Sequence, residues 1–332
     1  MDEKNTVAYH GEIPEWLCKF CAVPEMQRIG RVGMNCGCEY TAFPRFRGLP
    51  RYSRLRHSIG VCMITWHFTG SMEQALAALF HDIATPVFAH TVDFLHGDYV
   101  EQEYTEGRTE DIIKASPEIR ALLEKYGVAA DAVVDYHIYP VADNDSPRLS
   151  ADRLEYTLGN LAGYGLRDAG SLQAYYDDIR VITAEDGRPE LGFMHGGTAL
   201  DFALDALKMS AIYAAPEDRY AMQRLAELLK EAIGRGVLSM DDLYGTEDAV
   251  IARLTADAEL RLKWEKYRSL HRMLTADDDA PADAQWRVIP AKKRCIDPLI
   301  AGDGRLSAIN AQFAAELEKF RSQPLDVPIC GV

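Results

Sequence analysis

The sequence predicts an all-α protein with a small β-hairpin and a helical C-terminal lobe. Three observations point there. Between about residues 12 and 175, apolar residues recur mostly at i, i+3 and i+4. One short β-rich pair of runs brackets an Asp-Gly turn at 179–193. Helical spacing then returns from Thr198 onward. Residues 1–175 read as a helical core and 176–332 as the hairpin plus C-terminal lobe, packed together as one unit.

The elements follow in order. IPEWLCKF, HSIGVCMITWHF, SMEQALAALFHDI, TEDIIKA, EIRALLEKYG, ADAVVDYHIY and SADRLEYTLGNLAGYG all carry the helical period, with Gly, Pro and Asp between them. Ser71 and Gln74 have capping-box spacing at the start of the third. Pro86 lacks an N–H and disfavours helical geometry at Thr85, so that helix ends near Asp82. His81 and Asp82 therefore fall in its last turns. After the hairpin IRVIT-AEDG-RPELGF come TALDFALDALKMSAIYAA, RYAMQRLAELLKEAIGRG, SMDDLYGTEDAVIARL and ELRLKWEKYRSLHRML, again helical. Residues 275–285 are acidic and rich in Pro and Ala, a surface loop. The apolar pieces RVIPAKKRCIDPLI and SAINAQFAAELEKF follow it.

Composition narrows the function. The chain has 332 residues, 48% of them apolar, enough for a sizeable core. Its 36 basic and 51 acidic residues give a net charge of -15, which argues against an extended nucleic-acid groove and leaves any anionic ligand to local cations. No stretch of about eighteen residues is free of charge, so no membrane span is expected. The polar, acidic N-terminus has no signal-peptide pattern, and the expected location is the cytoplasm. Seven cysteines are expected as reduced thiols. Cys18-x-x-Cys21 with Cys36-x-Cys38 fits either a four-thiolate zinc site or buried free cysteines.

The informative stretch is FHDIATPVFAH, residues 80–90, where an ionisable His81-Asp82 pair interrupts an apolar helix. Successive helical residues diverge by about 100°, so the two side chains cannot both bury against one neighbour. A metal ion near the helix end would accept both, with further ligands from the polar residues opening neighbouring helices: His57 in HSIGVCMITWHF and Asp152 in ADRLEYTLGNL. Two imidazoles and two carboxylates suit a divalent transition metal such as Mn, Fe, Ni or Zn. A hydrogen-bonded core histidine beside a helix-end aspartate also accounts for the pair.

The strings Arg54-Leu55-Arg56-His57-Ser58-Ile59-Gly60-Val61, His81-Asp82-Ile83 running into Pro86-Val87-Phe88-Ala89-His90, and Asp152-Arg153-Leu154-Glu155-Tyr156 resemble the His…His-Asp…Asp signature of the HD-domain metal-dependent phosphohydrolases. Within that superfamily they are most similar to the deoxynucleoside triphosphate triphosphohydrolase (dGTPase-like) branch. Likeness in order runs over about residues 20–260, including a Gln27-Arg28-Ile29…Tyr40-Thr41-Ala42-Phe43-Pro44 lead-in.

The resemblance implies an HD-domain helical bundle in which His57, His81, Asp82 and Asp152 bind one divalent ion (Mn, Fe, Ni, Zn or Mg). It implies that Arg54 meets phosphate oxygens, that Gln27 contacts the sugar or base side of a nucleotide, and that Arg153, Tyr156 and Tyr213 line the same pocket. It also implies a homo-oligomer and a small anionic phosphate-containing substrate. Three positions depart from the branch: a motif histidine is Thr85, a downstream His-Glu pair is Thr105-Glu106, and an arginine ahead of Tyr213 is Asp205. The metal set stays whole while phosphate-side groups are lost. Glu106 becomes the first candidate acid–base group, with His90 and His137 behind it and Asp82 as ligand and local base. The expected activity is hydrolysis of a nucleotide or deoxynucleotide phosphate bond. The alternatives are an HD phosphatase or phosphodiesterase for another small phosphate ester, or a nucleotide-binding regulatory module without turnover.

Overall fold

Side-chain caps fix the helices that carry the site. A computed structural model describes residues 13–100, 108–274, 278, 281 and 284–332. Helices α1 (Glu15–Cys21) and α2 (Pro24–Ile29) lead in. Ser53 then caps α3 (Arg54–Thr69) by accepting the Arg56 N–H, and Gly70 ends it in the left-handed region at φ 62°. Ser71 accepts the Gln74 N–H to open α4 (Met72–Phe80), whose C-cap is His81, as its spacing predicts. Short α5 (Thr91–Leu95), α6 (Thr109–Ala115) and α7 (Pro117–Tyr126) follow, and Ser150 caps α8 (Ala151–Gly163) through the Arg153 N–H.

The predicted helix over ADAVVDYHIY is not formed. Ala130–Ala132 and Tyr136–Ile138 are single 3-10 turns instead. The β-branched pair Val133-Val134 resists helix, and the Asp135 carboxylate accepts the His137 N–H, offering the backbone a local alternative. Asp168 caps α9 (Ala169–Asp177), an element not anticipated from the sequence.

The expected hairpin is present: β1 (Ile179–Thr183) and β2 (Pro189–Phe193) pair antiparallel, with Ile179 opposite Phe193. Long α10 (Gly196–Tyr213) and α11 (Pro216–Gly234) follow it. The segment SMDDLYGTEDAVIARL, read as one helix, divides into a 3-10 turn at Asp241–Tyr244 and α12 (Glu247–Ala256), which Thr246 caps. Next come α13 (Ala258–Arg268), β3 (Met273–Leu274), β4 (Leu299–Ile300), β5 (Gly304–Arg305), α14 (Leu306–Ile309), α15 (Ala311–Ser322) and β6 (Cys330–Gly331). The hairpin is extended by β4, parallel to β2, and then by β5, while β3 pairs with β6. The fold is mostly helical with small sheets. Among the described residues, no helix is long and apolar enough to cross a membrane.

Three apolar cores surround the site. Phe20, Met26, Phe80 and Ile119 centre one beneath α1 to α4. Leu158, Phe193, Phe202 and Phe313 centre a second, joining α8 and α10 to the sheet and α15. Phe88, Leu225 and Trp264 centre the third around α11 and α13. Where the first turn of α3, the end of α4 and the first turn of α8 converge, polar side chains replace apolar ones.

Candidate metal centre

His57, Asp82 and Arg54 are 1%, 7% and 7% exposed, buried values that demand partners for each polar group. His57 Nδ1 meets Glu155 Oε2 at 2.5 Å, and His81 Nδ1 donates to the Ala78 carbonyl at 2.7 Å. Each ring is thereby locked through Nδ1, leaving Nε2 facing inward, the arrangement typical of metal-ligating histidines. The two Nε2 atoms stand 3.2 Å apart. Asp152 Oδ1 lies 2.9 Å from His57 Nε2 and 3.7 Å from His81 Nε2, and Asp82 Oδ2 lies 3.4 Å from His81 Nε2.

Donors roughly 2.1 Å from a single ion at octahedral to tetrahedral angles stand about 3.0–3.4 Å from one another. The 3.2 and 3.4 Å separations fall in that range and 2.9 Å just below it, while His81 Nε2–Asp152 Oδ1 at 3.7 Å and His57 Nε2–Asp82 Oδ2 at 3.9 Å are wider. Among the described residues, His57, His81 and Asp152 are the one group of His, Cys, Asp or Glu side chains suited to a metal. Asp82 borders it, but Arg54 Nη1 reaches both its oxygens at 3.2 and 3.1 Å and Thr85 Oγ1 donates to Oδ1 at 2.6 Å.

Electrostatics reinforces this order. Burial would raise the Asp82 pKa, yet Arg54, the two histidines and Thr85 hold it well below the usual carboxylate range. Asp152 is likewise lowered against its own burial by the hydrogen bond and charge of His57. Burial pulls His57 down, but the Glu155 and Asp152 carboxylates outweigh it and lift the ring to about 10. An ion binding at Nε2 must displace that proton.

A cavity of about 520 Å³ opens from the group, lined by Arg54, His81, Asp82, Thr85, His90, Tyr136, His137, Asp152, Arg153 and Tyr156. A smaller chamber of about 150 Å³ adjoins it, sharing Arg54, His90, Asp152 and Tyr156 and adding His57, Asn160, Tyr164, Tyr213 and Asp218. Tyr213 and Tyr156 meet edge to face at 6.3 Å, and the Tyr213 hydroxyl accepts from Asn160 at 2.7 Å. His90 Nδ1 meets Asp93 Oδ2 at 2.9 Å, and Asp93 is fully buried. Burial and the nearby Arg294 and Arg54 lower the His90 pKa against the opposing pull of Asp93. Phe88 and Ala89, just before it, adopt left-handed φ values of 60° and 44°, a costly conformation for non-glycine residues and one that clusters at functional sites.

Several expectations change. Gln27 does not reach the cavity: it is exposed on α2, its amide donating to the Cys21 carbonyl at 2.7 Å. Met26 and Ile29 fix the buried face of that helix, and the neighbour Arg28 instead reaches inward to the Ile83 carbonyl at 2.7 Å. Arg54 spends Nη1 on Asp82 rather than presenting a free fork. Arg153 lines the cavity but is held by Asp143 at 3.2 Å, Asn144 Oδ1 at 2.8 Å and Ser150 at 3.1 Å. Asp205 lies away from the cavity, buried against Arg167, Lys208 and Tyr175. His137 is exposed at the rim, paired with Asp135 at 2.9 Å. Glu106 and Thr105 lie outside the described residues.

The cysteines do not gather into a zinc site: Cys18 is exposed on α1, whereas Cys38 is buried against Asp218. Sequence reasoning missed Glu155, Tyr52, Lys292 and Arg294. The first had a signal, since Glu155 follows Asp152 by three residues and shares its helix face. Tyr52 donates its hydroxyl to the same Glu155 oxygen that meets His57. A Cβ on Gly60 would lie 2.5 Å from Glu155 Cγ, so only glycine there admits this carboxylate.

No family model matches the chain. The uncharacterized protein YdhJ of Bacillus subtilis is 28% identical over 257 residues, covering 76% of this chain and 75% of the relative. The metal-dependent phosphohydrolase cns2 of Cordyceps militaris is 25% identical over 260 residues, covering 75% and 71%. In three dimensions, the crystal structure of a hypothetical protein from Aquifex aeolicus superposes with a TM-score of 0.62 at 18% identity, covering 96% of this chain and 92% of that one. That likeness concerns the fold alone. A distant relative named as a metal-dependent phosphohydrolase thus stands beside a His-His-Asp group spaced for one divalent ion.

Proposed function

We propose that the protein is an HD-type, metal-dependent phosphohydrolase acting on a nucleotide or deoxynucleotide. The observation carrying this is the 3.2 Å approach of two imidazole Nε2 atoms beside Asp152 and Asp82, with each Nδ1 committed elsewhere. His57, His81, Asp82 and Asp152 would hold the ion, which supplies Lewis acidity and an activated water. Glu155 and the Ala78 carbonyl aim the two imidazoles. Arg54 and Thr85 keep Asp82 ionised and oriented. His90, backed by buried Asp93, accepts or returns a proton at Nε2, and Glu106 remains a second acid–base candidate in this reading. Tyr156, Tyr213 and Asn160 provide the aromatic and polar wall for a sugar or base. Assembly as a homo-oligomer in the cytoplasm belongs to the same proposal.

Thr85, where the branch carries histidine, favours a second reading: a phosphatase or phosphodiesterase for another small phosphate ester. A product-resolved screen with added Mn separates the two. Tripolyphosphate released from deoxynucleoside triphosphates supports the triphosphohydrolase form, and orthophosphate from monoesters supports the other. Ligand-induced thermal shifts with no product after long incubation overturn both in favour of a binding module.

A further inference from the structure

We infer that the irregular strap at residues 289–297 is the anion-binding wall of the cavity, with Arg294 and Lys292 receiving the phosphate of the substrate. This rests on the phosphohydrolase reading for the substrate's identity, but not for the existence of the anion site.

The strap has no helical period, yet it is anchored along its length. Buried Arg219 donates to the Ile289 carbonyl and, at 2.9 Å, to that of Leu325. Lys293 Nζ donates to the Arg321 carbonyl at 2.5 Å and to that of Gln323, beyond the end of α15. Ser146 Oγ donates to the Cys295 carbonyl at 3.3 Å, and the Asp297 N–H to that of Pro147 at 2.8 Å. These contacts tie the strap to Arg219, to the end of α15 and to residues 146–147.

So anchored, the strap brings Arg294 and Lys292 to both chambers, at the junction where Asp152 also faces both. Arg294 Nη2 stands 3.3 Å from His90 Nε2. In a chain of net charge -15, with Asp82, Asp143 and Asp152 in this wall, an anion enters only where local cations offset repulsion. Arg54 and Arg153 are engaged with Asp82 and Asp143 within the wall itself. Of the three consecutive cations, Lys293 ties the strap to the end of α15 and borders the larger cavity, while Lys292 and Arg294 border both chambers. A guanidinium fork beside an ammonium suits a phosphate dianion or a longer phosphate chain.

Calorimetric titration of the Mn-loaded full chain with inorganic phosphate, and separately with pyrophosphate, tests the strap. Arg294→Met and Lys292→Met are each expected to weaken binding at least tenfold, Arg294→Lys to recover part of it, and metal content and Tm to match the wild type. If the wild type binds neither anion, or both Met variants bind as the wild type does, the inference is overturned. If the wild type binds phosphate through Arg294 yet cleaves no phosphate ester, the strap stands and the catalytic reading falls. If it cleaves esters and Arg294→Met alters neither KM nor phosphate binding, the reverse holds.

Discussion

The two faces of the cavity are built on opposite plans. On the metal face the candidate ligands stand at helix ends, His57 and Asp152 near the starts of α3 and α8 and His81 and Asp82 just past the end of α4, and the acids are held ionised: Asp82 and Asp152 lie below the usual carboxylate range. The facing wall mixes helical residues, Tyr156 and Asn160 of α8 and Tyr213 of α10, with irregular backbone at residues 34–36, 89–90 and 291–295, and two buried acids in this part of the molecule are pushed the other way. Burial lifts Asp218 to about 7, and burial with repulsion from Glu247 lifts Glu39 to about 8. Helix ends position the candidate ligands, and anchored loop segments complete the cavity wall, the usual division between scaffold elements and loops.

The comparison breaks most decisively at the ligands. Replacing His57 or Asp152 with Ala should lower divalent-metal affinity by more than about 100-fold, beyond the range for outer-shell changes, and abolish hydrolysis. Equilibrium dialysis with Mn or Ni reads this directly. One layer out, Glu155→Gln should cost about 10–100-fold in metal affinity or turnover while the protein stays folded. Gly60→Ala should do the same by displacing that carboxylate, and should also cost about 1–3 kcal/mol of stability from overpacking. Circular dichroism melts alongside metal titration separate the two effects.

How much of this was legible follows the same division. His57, His81, Asp82 and Asp152 stood out because each interrupts an apolar helical run near a cap, and helical spacing is written in local sequence. Glu155 lay within a quoted motif but needed its distance to His57 to acquire a role. Gln27 faces outward and Arg28 inward to the Ile83 carbonyl because one residue of helix rotation, about 100°, separates the two directions. Lys292 and Arg294 were invisible as cavity residues: no periodicity marks the strap, and only tertiary anchoring carries it to a cavity whose candidate ligands lie far away in sequence.

Smaller effects sharpen the substrate face. Phenylalanine at Tyr213 removes the acceptor for Asn160 and should raise KM severalfold while leaving metal affinity unchanged. Least in size is a pH effect on stability. A carboxyl with a folded pKa raised to about 7 from 3.8 binds more protons folded than unfolded between those values. Its burial therefore costs little below pH 4, and stability falls as pH rises toward 7. Asp218→Asn should raise Tm by a few degrees at pH 8 and by much less at pH 5, as scanning calorimetry at both values will show. An equal gain at both would place that carboxyl in the ionised regime of the metal face.

The central claim is that His57, His81, Asp82 and Asp152 hold one catalytic divalent ion. Elemental analysis of the wild type and His81→Ala, both purified without chelator and then exposed to equal Mn, tests it most directly. The structure predicts close to one equivalent of divalent metal in the wild type and almost none in the variant. Equal metal in both proteins, or none in the wild type after loading, would contradict it.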